Sequence, residues 1–167
     1  REGVLNYCPQ ATLTRDSLDL LELPGDTLAL AALLPPSPVE VGDTWAVADW
    51  AAQMLATIEA VESSEMNGTL TSVTGNIAKI TVQGKVVGQR QGANSTVSVT
   101  GQLTYDLNQK LITQSTLEYR IESGIGTISP GIDATVTATV DRSLSPSPGQ
   151  LTDALADSIP LEPPAGA

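Results

Sequence analysis

The chain has 167 residues, enough for one domain with its own core and too few for two independent ones. Nineteen acidic against eight basic residues leave a net charge of −11, which repels phosphate backbones and anionic headgroups and so argues against DNA, RNA or a charged membrane surface as partner. Histidine and phenylalanine are both absent and aromatics make up 3%, so the chain lacks the commonest proton carrier near neutrality and must build its core from Leu, Val, Ile and Ala. Cys8 is the only cysteine, which excludes an internal disulfide or a thiolate metal cluster within one chain and reads as a free buried thiol. No segment approaches the ~20 apolar residues that span a bilayer. Arg1-Glu2-Gly3 opens the chain without a signal-peptide pattern, so an export signal is expected to be removed or upstream.

In chain order, residues 13–23 read either as a short helix capped by Thr14 or as a strand carrying Leu18, Leu20 and Leu23, ending at a Pro24-Gly25-Asp26 turn. Asp26 is placed to cap a helix over Thr27–Leu34, which Pro35-Pro36 must stop. Pro38–Trp45 reads as extended chain with a turn at Gly42-Asp43 and Trp45 plugging one end of the core. From Val47 onward, Ala51, Met54, Leu55, Ile58 and Val61 recur at helical spacing, which predicts one amphipathic helix of about fifteen residues. The polar run Glu62–Glu65 then leads to a strand over Thr69–Thr74 and a hairpin at Gly75-Asn76.

Four long segments of two-residue alternation follow. Ala78, Ile80, Val82, Gly84 and Val86 share one face, as do Val97, Val99, Gly101, Leu103 and Tyr105; Leu117, Tyr119 and Ile121; and Ile132, Ala134, Val136, Ala138 and Val140. The intervening positions are mostly Thr, Ser, Gln, Lys and Glu. Such a pattern predicts an antiparallel sheet with one dry face and one threonine-covered wet face, joined by turns at Gly92-Ala93-Asn94 and Asn108-Gln109-Lys110, with Gly124–Gly131 as a longer crossover or flap. The helix lies across the dry face, so that Ile80, Val82, Val97, Val99, Leu103, Leu117, Tyr119, Ile121, Val136 and Val140 share a core with Met54, Leu55 and Ile58. The fold class is α+β: an antiparallel β-meander of four to six strands with one amphipathic helix on its apolar face. Residues 1–142 form one β-rich domain; 143–167 read as a Pro-rich linker, a short helix over Leu151–Ile159 and an extended tail.

The stretches Leu13–Asp19, Leu33-Leu34-Pro35 and Pro38-Val39-Glu40-Val41-Gly42-Asp43-Thr44-Trp45 resemble a group of uncharacterised exported proteins of planctomycete-type bacteria. Gly84–Gly88, Tyr105-Asp106-Leu107 and Ser129–Asp133 agree with it, so the resemblance spans most of 13–142. It implies a curved sheet with helices on its concave side, similar to lipoprotein carriers of the bacterial envelope, with further strands upstream, and an extracellular or periplasmic location. It offers no catalytic residues to carry over.

Chemistry is sparse. Without histidine a Ser or Cys nucleophile needs a lysine or carboxylate as base, and Lys79 and Lys85 lie on the wet face, where lysines are usually solvated. Asp16, Asp19, Glu22 and Asp26 cluster without the aromatic platforms of a glycosidase cleft or the spacing of a calcium loop. Asp106 with Asn108, or Asp133, offers oxygen ligands at most. Gly84-x-x-x-Gly88 and Gly124-x-Gly126 do not open a helix after a buried parallel strand, so no phosphate cradle is expected; Gly84, Gly88 and Gly101 relieve crowding instead. Asn67 and Asn94 match the glycosylation pattern and are expected at turns. No catalytic, cofactor or metal site is expected. Two functions remain: a non-enzymatic structural or interaction module of an envelope or extracellular assembly, or a carrier holding a lipid in an apolar pocket formed by Trp50, Met54, Ile58, Val82, Val99, Leu103, Tyr119 and Val136. For the first, a sheet edge left uncovered by missing upstream strands is expected to pair with a separate N-terminal fragment or a repeating neighbour, with Ser143–Gly149 and Pro160–Ala167 as contact arms.

Overall fold

Alternation of small polar and branched apolar residues carries most of the chain into one sheet. A computed structural model describes residues 12, 14, 29–126 and 131–144. Expectations for Cys8, the 13–26 segment with its acids, most of the Gly124–Gly131 connection, and 145–167 lie outside those residues, as does part of the division at residue 142. The strands are β1 (Thr44–Ala46), β2 (Ala60–Thr74), β3 (Ile77–Arg90), β4 (Ala93–Asp106), β5 (Leu111–Ser123) and β6 (Ile132–Asp141). They form an open, curved, six-stranded antiparallel meander in chain order, with one helix, α1 (Asp49–Ala56), packed against it.

Register makes the dry face a set of rows that alternate large and small. One row runs Trp45–Gly68–Val82–Gly101–Leu117–Ala138, and the next Met66–Gly84–Val99–Tyr119–Val136. Glycine at 68 is required by the tryptophan itself, because a Cβ there would lie 2.5 Å from the Trp45 ring. Gly88 clears Ile58 Cγ2, which its Cβ would meet at 2.7 Å, where the chain leaves α1. The core is Leu, Val, Ile and Ala, with Trp45 closing one end through an Nε1–H donated to the Leu33 carbonyl at 3.0 Å. The Pro38–Trp45 element is thereby explained locally. The Asp43 N–H donates to the Glu40 carbonyl, the Glu40 N–H donates to the Asp43 carboxylate at 2.8 Å, and Gly42 supplies the φ of +101° that the turn needs.

Helical structure is shorter than the periodicity predicts. Of the helix expected over Thr27–Leu34, residues Ala29–Leu33 form a 3₁₀ helix ahead of Pro35-Pro36, and Thr27 and Leu28 lie outside the described residues. α1 has eight residues rather than about fifteen, because Thr57 turns left-handed (φ +52°) and ends it. Ile58 and Val61 face the core from the chain that follows, and β2 begins at Ala60, taking in the polar run Glu62–Glu65. Two register shifts, at Val61/Ser63 and Leu70/Ser72, leave Glu62 and Thr71 as extra residues, and the first of them brings Met66 to the same face as Val61. α1 buries Ala51, Ala52, Leu55 and Ala56, a small-residue stripe that allows close approach. Met54 therefore departs from the expected shared core: it is 42% exposed, while Leu55 and Ile58 are buried.

The turns obey backbone chemistry. Gly75 in Gly75-Asn76 has φ +58°, and the β3–β4 turn is Gln91-Gly92, both positive, rather than Gly92–Asn94. At Leu107–Lys110 the Asp106 Oδ1 accepts the N–H groups of Asn108 (2.8 Å) and Gln109 (2.9 Å). Asn94 is the second residue of β4, next to the Gln91-Gly92 turn, and Asn67 lies within β2 opposite Ala46 and Gln83 rather than at a turn.

Candidate functional site

Among the described residues, those named for an apolar pocket divide between the core and the surface. Val82, Val99, Leu103 and Tyr119 are 0–1% exposed and Ile58 is buried with them. A void wide enough for a lipid tail would leave such side chains accessible from within; these are packed. Trp50 is 58% exposed and, with Met54, lies on the outer side of α1, and Val136 on β6 is only partly buried. Helical periodicity placed Met54 inward beside Ala51 and Leu55, whereas Ala51, Ala52, Leu55 and Ala56 make the contact.

Tyr119 is the one titratable group in the dry interior with a resolved shift. Its hydroxyl is buried and has no hydrogen-bond partner among the described residues, and burial pushes its pKa up to about 12. A phenol so placed keeps its proton near neutrality.

The opposite face is a lattice of hydroxyl and amide side chains. Thr44–Thr69–Thr81–Gln102–Thr116–Thr139 forms one row across all six strands. A shallow open concavity of about 570 Å³ lies on this face between Lys79, Gln102, Gln114, Glu118, Thr139 and Asp141. Its polar groups bind one another: Lys79 Nζ donates to Thr104 Oγ1 at 2.7 Å and Gln114 Nε2 to Asp141 Oδ1 at 3.0 Å. Lys85 is also exposed, and stands opposite Glu65. Arg120 holds Asp133 at 2.6 Å and Glu122 at 3.6 Å, both exposed pairs of small energetic weight. Asp106 and Asp133 are thus engaged in a turn and an ion pair. No group of three or more His, Cys, Asp or Glu able to hold a metal occurs among the described residues, and no helix among them is long and apolar enough to cross a membrane.

The sheet edges carry the remaining unspent chemistry. Arg142 N–H donates to the Thr113 carbonyl at 2.8 Å, and the register continues through Asp141 opposite Gln114 to Ile132 opposite Ser123. Antiparallel pairs alternate between bonded and non-bonded. Even-numbered residues of β6 therefore bond β5, and residues 133, 135, 137, 139 and 141 turn their N–H and C=O groups outward. Among the described residues no strand pairs with that side. Inward on β6, Ile132, Ala134, Val136, Ala138 and Val140 are all only partly buried, whereas Val97, Val99, Leu117, Tyr119 and Ile121 on β4 and β5 are buried.

Alternation placed the faces of β6, but a one-strand pattern does not say which strand is last. The signal that could have found this edge is the uncharged run Ala134–Val140 between Asp133 and Asp141. Comparison with protein-family models, curated proteins and solved structures finds no match to this chain.

Proposed function

We propose that this chain is a non-enzymatic structural or interaction module, exported and working within an assembly of the cell envelope or extracellular space. The observation that carries the reading is the open β6 edge, where five residues direct their backbone polar groups away from the sheet beside a row of partly buried apolar side chains. The wet face supports a non-enzymatic role: its lysine and carboxylates are exposed and tied to neighbours, and no activated nucleophile or oxyanion cradle converges with them among the described residues. The high negative charge and the likeness of Pro38–Trp45 to exported bacterial proteins support an extracytoplasmic place.

Lipid carriage, the competing reading, draws no support from a packed core. Native mass spectrometry of protein purified without detergent, combined with sedimentation at micromolar concentration, tests the choice. The module reading expects species heavier than one chain and composed of protein alone. A lone chain carrying an apolar ligand overturns it, as does hydrolase or transferase activity that a single Ser, Asp or Lys substitution abolishes.

A further inference from the structure

We infer that the outer edge of β6 is a homotypic pairing surface: two copies join β6 to β6 antiparallel about a twofold axis through Val136, fusing two six-stranded sheets into one. This deepens the assembly reading and rests on it. The outward N–H and C=O groups of Asp133, Thr135, Thr137, Thr139 and Asp141 form the half of an antiparallel ladder that no strand among the described residues pairs, and another antiparallel strand completes it.

The strand is close to symmetric about Val136, and this selects a second copy as the occupant. Outward from that residue the positions read Thr135 and Thr137, Ala134 and Ala138, Asp133 and Thr139, Ile132 and Val140. Across the axis, threonine meets threonine and aspartate meets threonine on the wet side, while alanine meets alanine and isoleucine meets valine on the dry side. The threonine pairs are favourable and none of the pairs sets like charges opposite, and face parity is preserved, so the dry face of one copy continues into that of the other. The partly buried row on β6 gains the neighbour it lacks.

The sequence also disfavours one alternative register. An axis at Thr137 would set Asp133 opposite Asp141 of the second copy twice over, and like charges directly opposite destabilise. The axis at Val136 pairs Asp133 with Thr139, and Arg120 already holds Asp133 at 2.6 Å. β6 carries no lysine, proline or register shift, the usual devices against edge pairing. Because each copy carries −11, association should strengthen as salt screens the repulsion.

The test is sedimentation equilibrium of the full chain and its Thr137→Pro variant at low and high salt. Thr137 N–H points away from β5, so proline removes an interface donor without removing one from the sheet. Wild type should reach twice 17.3 kDa, more readily at high salt, and Thr137→Pro should stay a monomer whose thermal melt lies close to that of dilute, monomeric wild type. Val136→Cys in a Cys8→Ser background should oxidise to a covalent dimer, because non-bonded antiparallel partners lie ~4.5 Å apart at Cα, within disulfide reach. A heavier species that Thr137→Pro leaves intact overturns the β6 pairing while the assembly reading stands. A lone chain at every concentration also overturns the pairing, and the assembly reading falls with it only if that chain carries an apolar ligand. Efficient cross-linking through Ala138→Cys in place of Val136→Cys overturns the stated axis.

Discussion

The two edges of the sheet are built by different rules. At the β1–β2 edge the chain finishes its own work. β1 is three residues long, Gly42 and Val47 donate N–H groups to the Leu70 and Met66 carbonyls, and Leu70 donates back to the Asp43 carbonyl. Beyond that patch β2 carries two register shifts and the exposed carboxylates of Glu62 and Glu65. Short edge strands, bulges and charges are the devices that keep strands from pairing with strangers. β6 has none of them between its two terminal aspartates: it is regular, uncharged from Ala134 to Val140, and bonded on one side only among the described residues. The difference teaches that an open sheet need not be symmetric in its exposure to partners, and that the exposed side here belongs to the last strand of the meander.

The largest expected effect sits midway between the edges and sets the scale for both. Val99→Asp places a carboxylate in a fully buried position and should leave no cooperative unfolding transition, whereas Thr100→Asp on the opposite face should shift stability by less than about 1 kcal/mol. Chemical denaturation of the two neighbours checks this, and equal losses would mean both faces are covered. Next comes Trp45→Ala, which removes the latch of the finished edge. It should cost about 3–5 kcal/mol, from the lost ring over Gly68 and the lost bond to the Leu33 carbonyl.

A proline pair then compares the two sides of β6 directly. Ala138→Pro deletes a donor that bonds β5 and should cost about 3 kcal/mol, while Thr137→Pro should cost under about 1 kcal/mol. Similar losses in urea titrations would contradict the alternation assigned to this strand.

The smallest effect at neutral pH is Tyr119→Phe, one strand in from the open edge. Deleting a buried hydroxyl that has no partner among the described residues should raise stability by about 1 kcal/mol. The variant separates further from wild type in alkali. The folded-state pKa of about 12 lies above the ordinary value of 10.0, so the folded protein holds a proton that the unfolded chain releases. Stability from this group is complete below pH 10 and is lost as pH rises through 12, by up to about 3 kcal/mol. Denaturation midpoints at pH 9 and 11.5 should converge for Tyr119→Phe relative to wild type.

Sequence alone made β3 to β6 legible because each keeps a two-residue period over most of its length, broken in β5 only between Ile112 and Ser115. The first half of β2 was hidden because Glu62, Ser63, Ser64 and Glu65 are polar on both faces and a bulge shifts their parity. The extent and outward face of α1 were misjudged because the stripe through Ala51, Met54, Leu55, Ile58 and Val61 runs past Thr57, where the helix ends, and took Met54 in place of Ala52 and Ala56. The expected uncovered edge was the one that missing upstream strands would leave, whereas the side bonded to no strand among the described residues is that of β6, across the sheet from β1. That location was not legible, since which strand ends the sheet follows from pairing rather than from any residue.

Amide hydrogen exchange along β6 at low and high protein concentration tests the central contrast most directly. The amides of Ala134, Val136, Ala138 and Val140 should be protected at both concentrations, and those of Thr135, Thr137 and Thr139 should exchange rapidly when dilute and slowly when concentrated. Protection of the threonine amides at every concentration would mean the chain covers this edge itself, and rapid exchange at every concentration would mean no second copy binds there; either result contradicts the account.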